Sequence, residues 1–424
     1  MPPPGPHPSQ PQPPDERDGG PGEVVSLWTG LRSRWALVSL ATFLYWFSAH
    51  SLRPLISLRL DSMGASGVEI GWIVALYPLF SLFLALPGGR AIDRVGLRRV
   101  LFVSLVGMAL TGVGYALAAT PLQIAAIQVF NGVVELGVWL ALQALASHAG
   151  SGGFLSRQLS LFSLAWGAGI AIGPVVGAAI YARVGFAPLG VLYAVGTCGA
   201  LASLTLVPYR DPDKDPDEVR TNALTDVKHI AGRPAVRAVL LSSFVAMWVI
   251  SVKNSFYTLY LEQSGVPLDR IGLLLSVAGT ASLSIRLPLP RLLARFGTSG
   301  VLVAGMWVAV LSVALVPLLG SFPALLIGAA CMGAGYGSNP PVTVEMLARG
   351  TAPRERGLAM GLRATANRSS QVIQPVVFGA MIGAVGIAAS FPLSGALLAG
   401  MGAWATREVT RNRLGAAPGD AGGR

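Results

Sequence analysis

The stretch RPLISLRLDSMGASGVEIGWIVALYPLFSLFLALPGGRAIDRVG, residues 53–96, returns without a gap as NSFYTLYLEQSGVPLDRIGLLLSVAGTASLSIRLPLPRLLARFG, residues 254–297. A shift of 201 residues lays Leu58 on Leu259, Leu60 on Leu261, Gly64 on Gly265 and Ile70-Gly71 on Ile271-Gly272. It also lays Leu86-Pro87 on Leu287-Pro288, Arg90 on Arg291, Arg94 on Arg295 and Gly96 on Gly297, and it still holds where Pro174 meets Pro375. One register kept over that distance marks a duplicated chain. Each copy contains apolar runs long enough to cross a hydrocarbon core, for which a helix needs about 20 residues.

Outward from the repeat, the rest of the 424 residues reads the same way. The chain is 53% hydrophobic and 12% charged, with a mean hydropathy of +0.60. Soluble domains carry about 25% charged residues, so a water-soluble fold of this size lacks the ionisable groups to cover its surface. Apolar spans are expected near 35–58, 69–89, 98–119, 121–147, 158–181, 185–207, 237–261, 270–290, 299–320, 323–347, 358–384 and 386–405. The expected fold is therefore an all-α membrane protein with twelve transmembrane helices in two six-helix, pseudo-symmetric halves. Six spans is an even number, so both halves enter the bilayer in the same sense. They are then related by an axis along the membrane normal, around a central cavity.

Loop charge sets the expected orientation. One set of loops holds Arg90, Arg94, Arg98, Arg99, Arg157, Arg210, Lys214, Arg220, Lys228, Arg233, Arg237, Arg291, Arg295, Arg349, Arg354 and Arg356, while the other holds little beyond Arg59, Arg183 and Arg270. The positive-inside bias places the first set, and both termini, in the cytoplasm. It also accounts for the net charge of +11 without nucleic acid. Residues 1–34 read as a disordered cytoplasmic tail, Pro- and Gly-rich at its start. Residues 35–207 form the first half, 208–236 a cytoplasmic linker, 237–406 the second half and 407–424 a cytoplasmic tail. Cys198 and Cys331 sit inside apolar blocks and read as packing residues. No metal, cofactor or disulfide framework is expected.

Two motifs carry a resemblance to a known family. Gly89-Arg-Ala-Ile-Asp93-Arg94-Val-Gly96-Leu-Arg98-Arg99 resembles the loop between the second and third helices of the major facilitator superfamily, G-x-x-x-D-R-x-G-R-[RK]-[RK]. Leu97 replaces one basic residue. Gly169-Ile-Ala-Ile-Gly173-Pro174-Val-Val-Gly177-Ala178 resembles the fifth-helix pattern g-x-x-x-G-P-x-x-G-G, typical of the superfamily's bacterial proton-coupled drug and metabolite exporters. Two departures stand beside these matches. The fourth-helix R-x-x-Q-G of the family's antiporters is replaced here by Gln128-Val-Phe-Asn131-Gly132, without the arginine. The second copy of the loop keeps Arg291, Arg295 and Gly297 but has Ala294 at the acidic position. The resemblance implies a cytoplasmic gate at Gly89, Arg90, Asp93, Arg94, Gly96, Arg98 and Arg99.

Ionisable groups within the spans carry the sharpest functional signal, because they are costly in hydrocarbon. Arg368 lies about eleven residues into its span, near the midplane at about 1.5 Å per residue. Asn367, Gln371 and Gln374 share its helix in an i, i+4, i+7 stripe, a face too polar for lipid. Arg286 and Arg363 lie near span ends and can snorkel. His50 and Arg53 share a face of the first span, and the repeat sets Asn254, with Lys253 beside it, opposite Arg53. Glu135 lies one turn beyond Asn131. As a lone acid in low dielectric it would hold a proton, whereas pairing with Arg53 or Arg368 would favour the carboxylate. The sequence leaves both open. Gly169, Gly173 and Gly177 let another helix approach closely, and Pro174 invites a kink. Asn339-Pro340-Pro341, following Gly333, Gly335 and Gly337, is expected to break or hinge the tenth span. Tyr45, Trp46, Tyr77, Trp139 and Trp248 are candidates for an apolar pocket.

The leading expectation is a secondary transporter, working by proton-coupled export of small organic compounds, with Glu135 the candidate proton site. The substrate cavity is expected to hold His50, Arg53, Asn131, Glu135, Lys253, Asn254, Asn339, Asn367, Arg368, Gln371 and Gln374. The absence of a G-x-x-x-x-G-K-[ST] loop removes ATP as the direct energy source. A carrier of organic anions is the alternative, because Arg53, Lys253 and Arg368 outnumber Glu135. An intramembrane enzyme or a receptor is the remote one: no nucleophile-base pair or ligand cluster is evident. The expected partners are a small solute, protons and the lipid bilayer, with the chain working as a monomer in the plasma (inner) membrane.

Overall fold

The computed structural model describes residues 34–147, 153–207, 228–352 and 355–411, with the backbone alone at 34–35, 85–94, 143–144, 146–147 and 153–159. The reading of residues 1–33 as a tail, of 208–227 as a linker and of 412–424 as a tail lies outside the described residues. The second half's first long helix begins at Pro234 and the last helix runs to Arg411.

In the first half, α1 (Arg34–Leu52), a 3-10 turn (Arg53–Leu55) and α2 (Ile56–Ser62) form one broken span. Then follow α3 (Gly67–Val95), α4 (Leu97–Leu117), α5 (Pro121–Ser147), α6 (Gly153–Val184) and α7 (Ala187–Thr205). The second half opens with another broken span, α8 (Pro234–Asn254) and α9 (Phe256–Gln263). It continues with α10 (Leu268–Ser284), α11 (Leu289–Ala314), α12 (Phe322–Gly350), α13 (Arg356–Val385) and α14 (Ile387–Arg411). Gly297, at φ 69° and ψ 165°, divides α11. Residues 289–296 thus complete the eighth span and the remainder forms the ninth.

The duplication is legible in the backbone. Among the described residues six glycines have positive φ: Gly64, Gly96, Gly185, Gly265, Gly297 and Gly386. They form three pairs at the shift of 201 found in the sequence. Each sits where one helix ends and the next begins, in a conformation that costs residues with a Cβ. The first span of each half is interrupted at equivalent places. Pro54, which has no N–H, lies in the first break. In the second, Ser255 leaves helical geometry at φ −131° and ψ −82°, and its hydroxyl donates to the Ser251 carbonyl at 2.7 Å. The halves differ at the eighth span. Leu-Pro288-Leu-Pro290 removes two N–H donors in close succession and the helix stops at Ser284, whereas α3, with Pro87 and Gly89 at the equivalent places, runs on to Val95.

Among the described residues, eight helices are long and apolar enough to cross a membrane. The other spans fall short for local reasons. α10 has 17 residues, α1 carries His50 and several hydroxyls, α12 is rich in glycine, and α13 carries Arg363, Asn367, Arg368, Gln371 and Gln374. Large apolar side chains stand exposed on the outside of the bundle, including Phe83, Val103, Leu122, Leu164 and Ile327, as expected for a surface wetted by lipid. Cys198 and Cys331, expected as packing residues, are instead exposed, because their side chains fall on the outer faces of their helices.

The halves meet along two equivalent seams, α3 against α13 and α6 against α10. At the first, a Cβ on Gly71 would strike the Pro375 carbonyl, and Gly379 lies beside it. At the second, a Cβ on Gly272 would lie 2.6 Å from the Ala178 Cβ and 2.9 Å from the Pro174 carbonyl. On the side away from Gly96 the broken spans touch through α2 and α9, and the Gln263 amide donates to Asp61 at 3.3 Å.

Two expectations about helix geometry and packing are corrected. Pro340 and Pro341 do not break the tenth span; α12 is continuous from Phe322 to Gly350. The Thr343 hydroxyl donates to the Asn339 carbonyl at 2.8 Å. Gly333 and Gly337 lie against the backbone of Ala278 and Ser282 in α10, so packing holds the helix through its prolines. Trp248 does not face a pocket. It is buried, and its indole N–H donates to the Ser394 hydroxyl at 2.8 Å.

Candidate functional site

Glu135 points from α5 into the first half and is 3% exposed. Arg53, from the 3-10 turn, reaches it with Nη2 at 2.7 Å from Oε1 and 2.6 Å from Oε2. Tyr45 from α1 and Tyr77 from α3 donate their hydroxyls to Oε1 at 3.0 and 2.6 Å. The guanidinium also lies 4.7 Å from the centre of the Tyr77 ring. The broken first span places Arg53 here: the turn at Pro54 displaces the chain at the level of Glu135. Of the two partners left open by the sequence, the structure selects Arg53. Charge-assisted hydrogen bonds of this kind are among the strong ones, and leaving either partner alone in a dry interior is costly.

His50 lies one turn before Arg53 and is buried. Its Nδ1 is 3.1 Å from the Trp46 carbonyl. Lys253, the last-turn residue of α8, is 2% exposed. His50, Arg53 and Lys253 are close enough to act on one another's charge, so the two broken spans bring basic groups from both halves to one level. Among the described residues no carboxylate lies within ion-pairing distance of Lys253 or Arg368. The Lys253 ammonium instead lies 5.9 Å from the centre of the Tyr336 ring.

On α13, Arg368 donates to Gln371 at 3.1 Å, and Gln371 contacts the Met247 sulfur at 3.5 Å. Both are half-buried. Gln374 is fully buried, and neither end of its amide has a hydrogen-bond partner within the protein. The Oδ1 atoms of Asn367 and Asn254 are likewise without one. Asn131 is held inside the first half, where Tyr193 donates to it at 3.0 Å. Asn339 is buried in α12. Arg363 donates from Nε to Thr343 at 3.0 Å.

The fifth-helix glycines seat α6 on α1. A Cβ on Gly169 would come 2.7 Å from the Phe47 amide nitrogen, and one on Gly173 would come 2.9 Å from the Phe47 carbonyl. A Cβ on Gly177 would strike the Ser51 carbonyl. α6 passes through Pro174 as one helix. In the loop motif, Gly96 has φ 96°, Arg98 and Arg99 are exposed, and the side chains of Arg90, Asp93 and Arg94 lie outside the described residues.

One residue, Trp166, escaped the sequence reading, while Trp46 and Trp139 were expected to line a pocket. Trp46, Trp139 and Trp166, from α1, α5 and α6, form a cluster with ring centres 5.5, 5.6 and 6.1 Å apart. Trp139 stands one turn past Glu135, and Trp46 one turn before His50, with ring centres 5.2 Å apart. Trp166 carried no signal, because its distance from the others is set by helix packing. The Arg286 guanidinium lies 5.6 Å from the Trp166 ring centre and so crosses between halves.

The comparisons agree with this architecture. The family model described as Major Facilitator Superfamily matches residues 38–297 and 239–422. A maltose permease of Geobacillus stearothermophilus is 29% identical over 280 residues, covering 63% of this chain and 67% of the relative. The multidrug resistance protein MdtH of Aeromonas hydrophila is 27% identical over 352 residues, covering 77% and 82%. The solved nucleoside transporter NupG superposes with a TM-score of 0.73 at 13% identity, covering 90% of this chain and 99% of that one. An inward-facing, unoccupied bacterial homologue of the lysosomal transporter Spinster also gives 0.73 at 13% identity, covering 91% and 98%. With two six-helix halves around a charged centre and a family match across nearly the whole chain, this protein belongs to the Major Facilitator Superfamily and is a multi-pass membrane transporter of small-molecule solutes.

Proposed function

We propose that the protein moves small organic compounds in exchange for protons, as an exporter working by alternating access in the plasma (inner) membrane, with both termini cytoplasmic. The observation that carries this reading is the Arg53–Glu135 pair with its two tyrosines. Glu135 is an acid buried at the level where the halves meet, and it has a fixed cation to leave and rejoin. Protonation of Glu135 releases Arg53, and deprotonation recaptures it. Coupling follows if the two states favour opposite orientations of the halves, since a ligand shifts an equilibrium only by its differential affinity. The fifth-helix pattern and the MdtH relative support the export direction. With the loop at 90–99 facing the cytoplasm, the end closed by α2 and α9 is the outer one.

Purified protein in vesicles, given candidate solutes with and without an imposed pH gradient, tests the reading. Flux that rises with the gradient and collapses with a protonophore is expected; flux indifferent to both would refute it. The loop motif adds a second test. Asp93→Asn is expected to leave a folded protein with turnover slowed about tenfold, about 1.4 kcal/mol on the barrier. Proteoliposome rates at wild-type level would reject a gate at Asp93.

A second reading, carriage of organic anions, is favoured by one specific observation. Arg53 is neutralised by Glu135, which leaves Lys253 and Arg368 as surplus positive charge in the same interior.

A further inference from the structure

We propose that the strip from Trp166 through Trp46 to His50 and Lys253 binds a small organic anion with a planar aromatic body, its carboxylate at Lys253 and its ring among the three indoles. This rests on the anion reading above and adds the nature of the anion's body.

The aromatic part of the strip is continuous as far as His50, and the 3-10 turn that follows His50 packs against α8, which carries Lys253. Trp166 and Trp139 meet Trp46 at 5.6 and 5.5 Å between ring centres, and Trp46 meets His50 at 5.2 Å. His50 lies within electrostatic reach of Lys253. Three helices of one half supply the aromatic end and α8 of the other half supplies the cation, so a ligand spanning the strip bridges the halves. The three tryptophans are half-buried, as cavity-lining side chains are. At these separations the indoles contact one another, and a ligand ring would pack on their partly exposed outer faces in offset or edge-to-face contact.

Two polar features separate this strip from ordinary core packing. The indole Nε1 atoms of Trp46 and Trp166 are buried without a hydrogen-bond partner in the protein. Buried Trp N–H groups usually have one, as Trp248 does with Ser394. Lys253 is the second feature: it is buried at 2% exposure among other cations, with no carboxylate in range among the described residues. An unpaired buried ammonium is expensive, and a ligand's carboxylate is the group that satisfies it. A neutral sugar would use the indole faces equally well and leave Lys253 uncompensated. At the other end, the Arg286 guanidinium lies over the Trp166 ring and caps the strip with a cation–π contact.

The test is equilibrium binding to the full chain in lipid nanodiscs, by calorimetry, with four probes: 2-naphthoate, neutral 2-naphthamide, cyclohexanecarboxylate and maltose. 2-Naphthoate is expected to bind at least about tenfold more tightly than each of the others. Lys253→Gln should remove its advantage over 2-naphthamide, and Trp166→Leu its advantage over cyclohexanecarboxylate. Equal binding of the acid and the amide to the wild-type protein would overturn the proposal. So would preferential binding of maltose, or a Lys253→Gln protein that keeps the preference for the acid. The wild-type comparison decides the matter even where a variant fails to fold. Binding at equilibrium needs no gradient. Loss of naphthoate selectivity with pH-driven flux intact therefore sinks this inference alone, and the converse sinks proton coupling alone.

Discussion

Glu135→Gln is expected to leave a folded protein whose solute flux no longer responds to a pH gradient. The amide keeps the size of the acid and can still accept from Tyr45 and Tyr77, which now donate to Oε1 at 3.0 and 2.6 Å. It cannot take up or release a proton, and it cannot neutralise Arg53. Gradient-driven flux in proteoliposomes should fall at least about a hundredfold, about 2.7 kcal/mol of lost coupling, while solute exchange without a gradient survives. Removing the other partner has a different signature. Arg53→Met strands the carboxylate in a dry interior and should destabilise the fold by about 3–5 kcal/mol. The double variant Arg53→Met, Glu135→Met should recover most of that loss, because it leaves no orphaned charge. Thermal unfolding of Arg53→Met, Glu135→Met and the double checks this coupling. Additive losses would mean that the pair is not a unit.

The second large effect is expected at the seams. Gly71→Leu places a branched side chain where a single Cβ already meets the Pro375 carbonyl, and Gly272→Leu does the same against Ala178 and Pro174. In both cases the obstacle is backbone or Cβ, so no rotamer change relieves it. Overpacking costs about 1–3 kcal/mol, occasionally more, and here it forces apart the surfaces on which the halves move. Each variant should lower transport more than tenfold and shift the halves' relative orientation. Double electron-electron resonance between spin labels on the two halves would register that shift. Gly400, which has no neighbour near its Cβ position, supplies the control: Gly400→Ala should be indistinguishable from wild type in both assays.

Much of the fold was legible because duplication and hydrophobicity are written along the chain. The shift of 201 that aligned Gly64, Gly96 and their partners also pairs Gly185 with Gly386, and all six have positive φ in the structure. The span limits followed the apolar blocks. The proline pair in α12 misled because a local rule, loss of N–H donors, was overridden by close glycine packing against α10. The site was legible by element and not by partner. Burial of Glu135 could be read from its apolar surroundings. The choice of Arg53 over Arg368 could not, since it depends on the turn at Pro54 and the tilt of three helices. Asn131 shared a helix face with Glu135, yet it is bound by Tyr193. Trp46 and Trp139 were legible as pocket candidates, but the place of Trp166 beside them was not: it reaches Trp46 only because Gly169 and Gly173 bring α6 onto α1.

The central claim is that Arg368 and Gln371 line a water-filled space between the halves, beside the buried Arg53–Glu135 pair and Lys253. Single cysteines at Gln371 and, as a lipid-facing control, at Ile327, in a protein with Cys198 and Cys331 replaced by serine, test it directly. A membrane-impermeant thiol reagent should label Gln371→Cys, and added transport substrate should slow that labelling, while Ile327→Cys reacts only with a lipid-soluble reagent. Labelling of Gln371→Cys solely from the lipid phase would contradict the account.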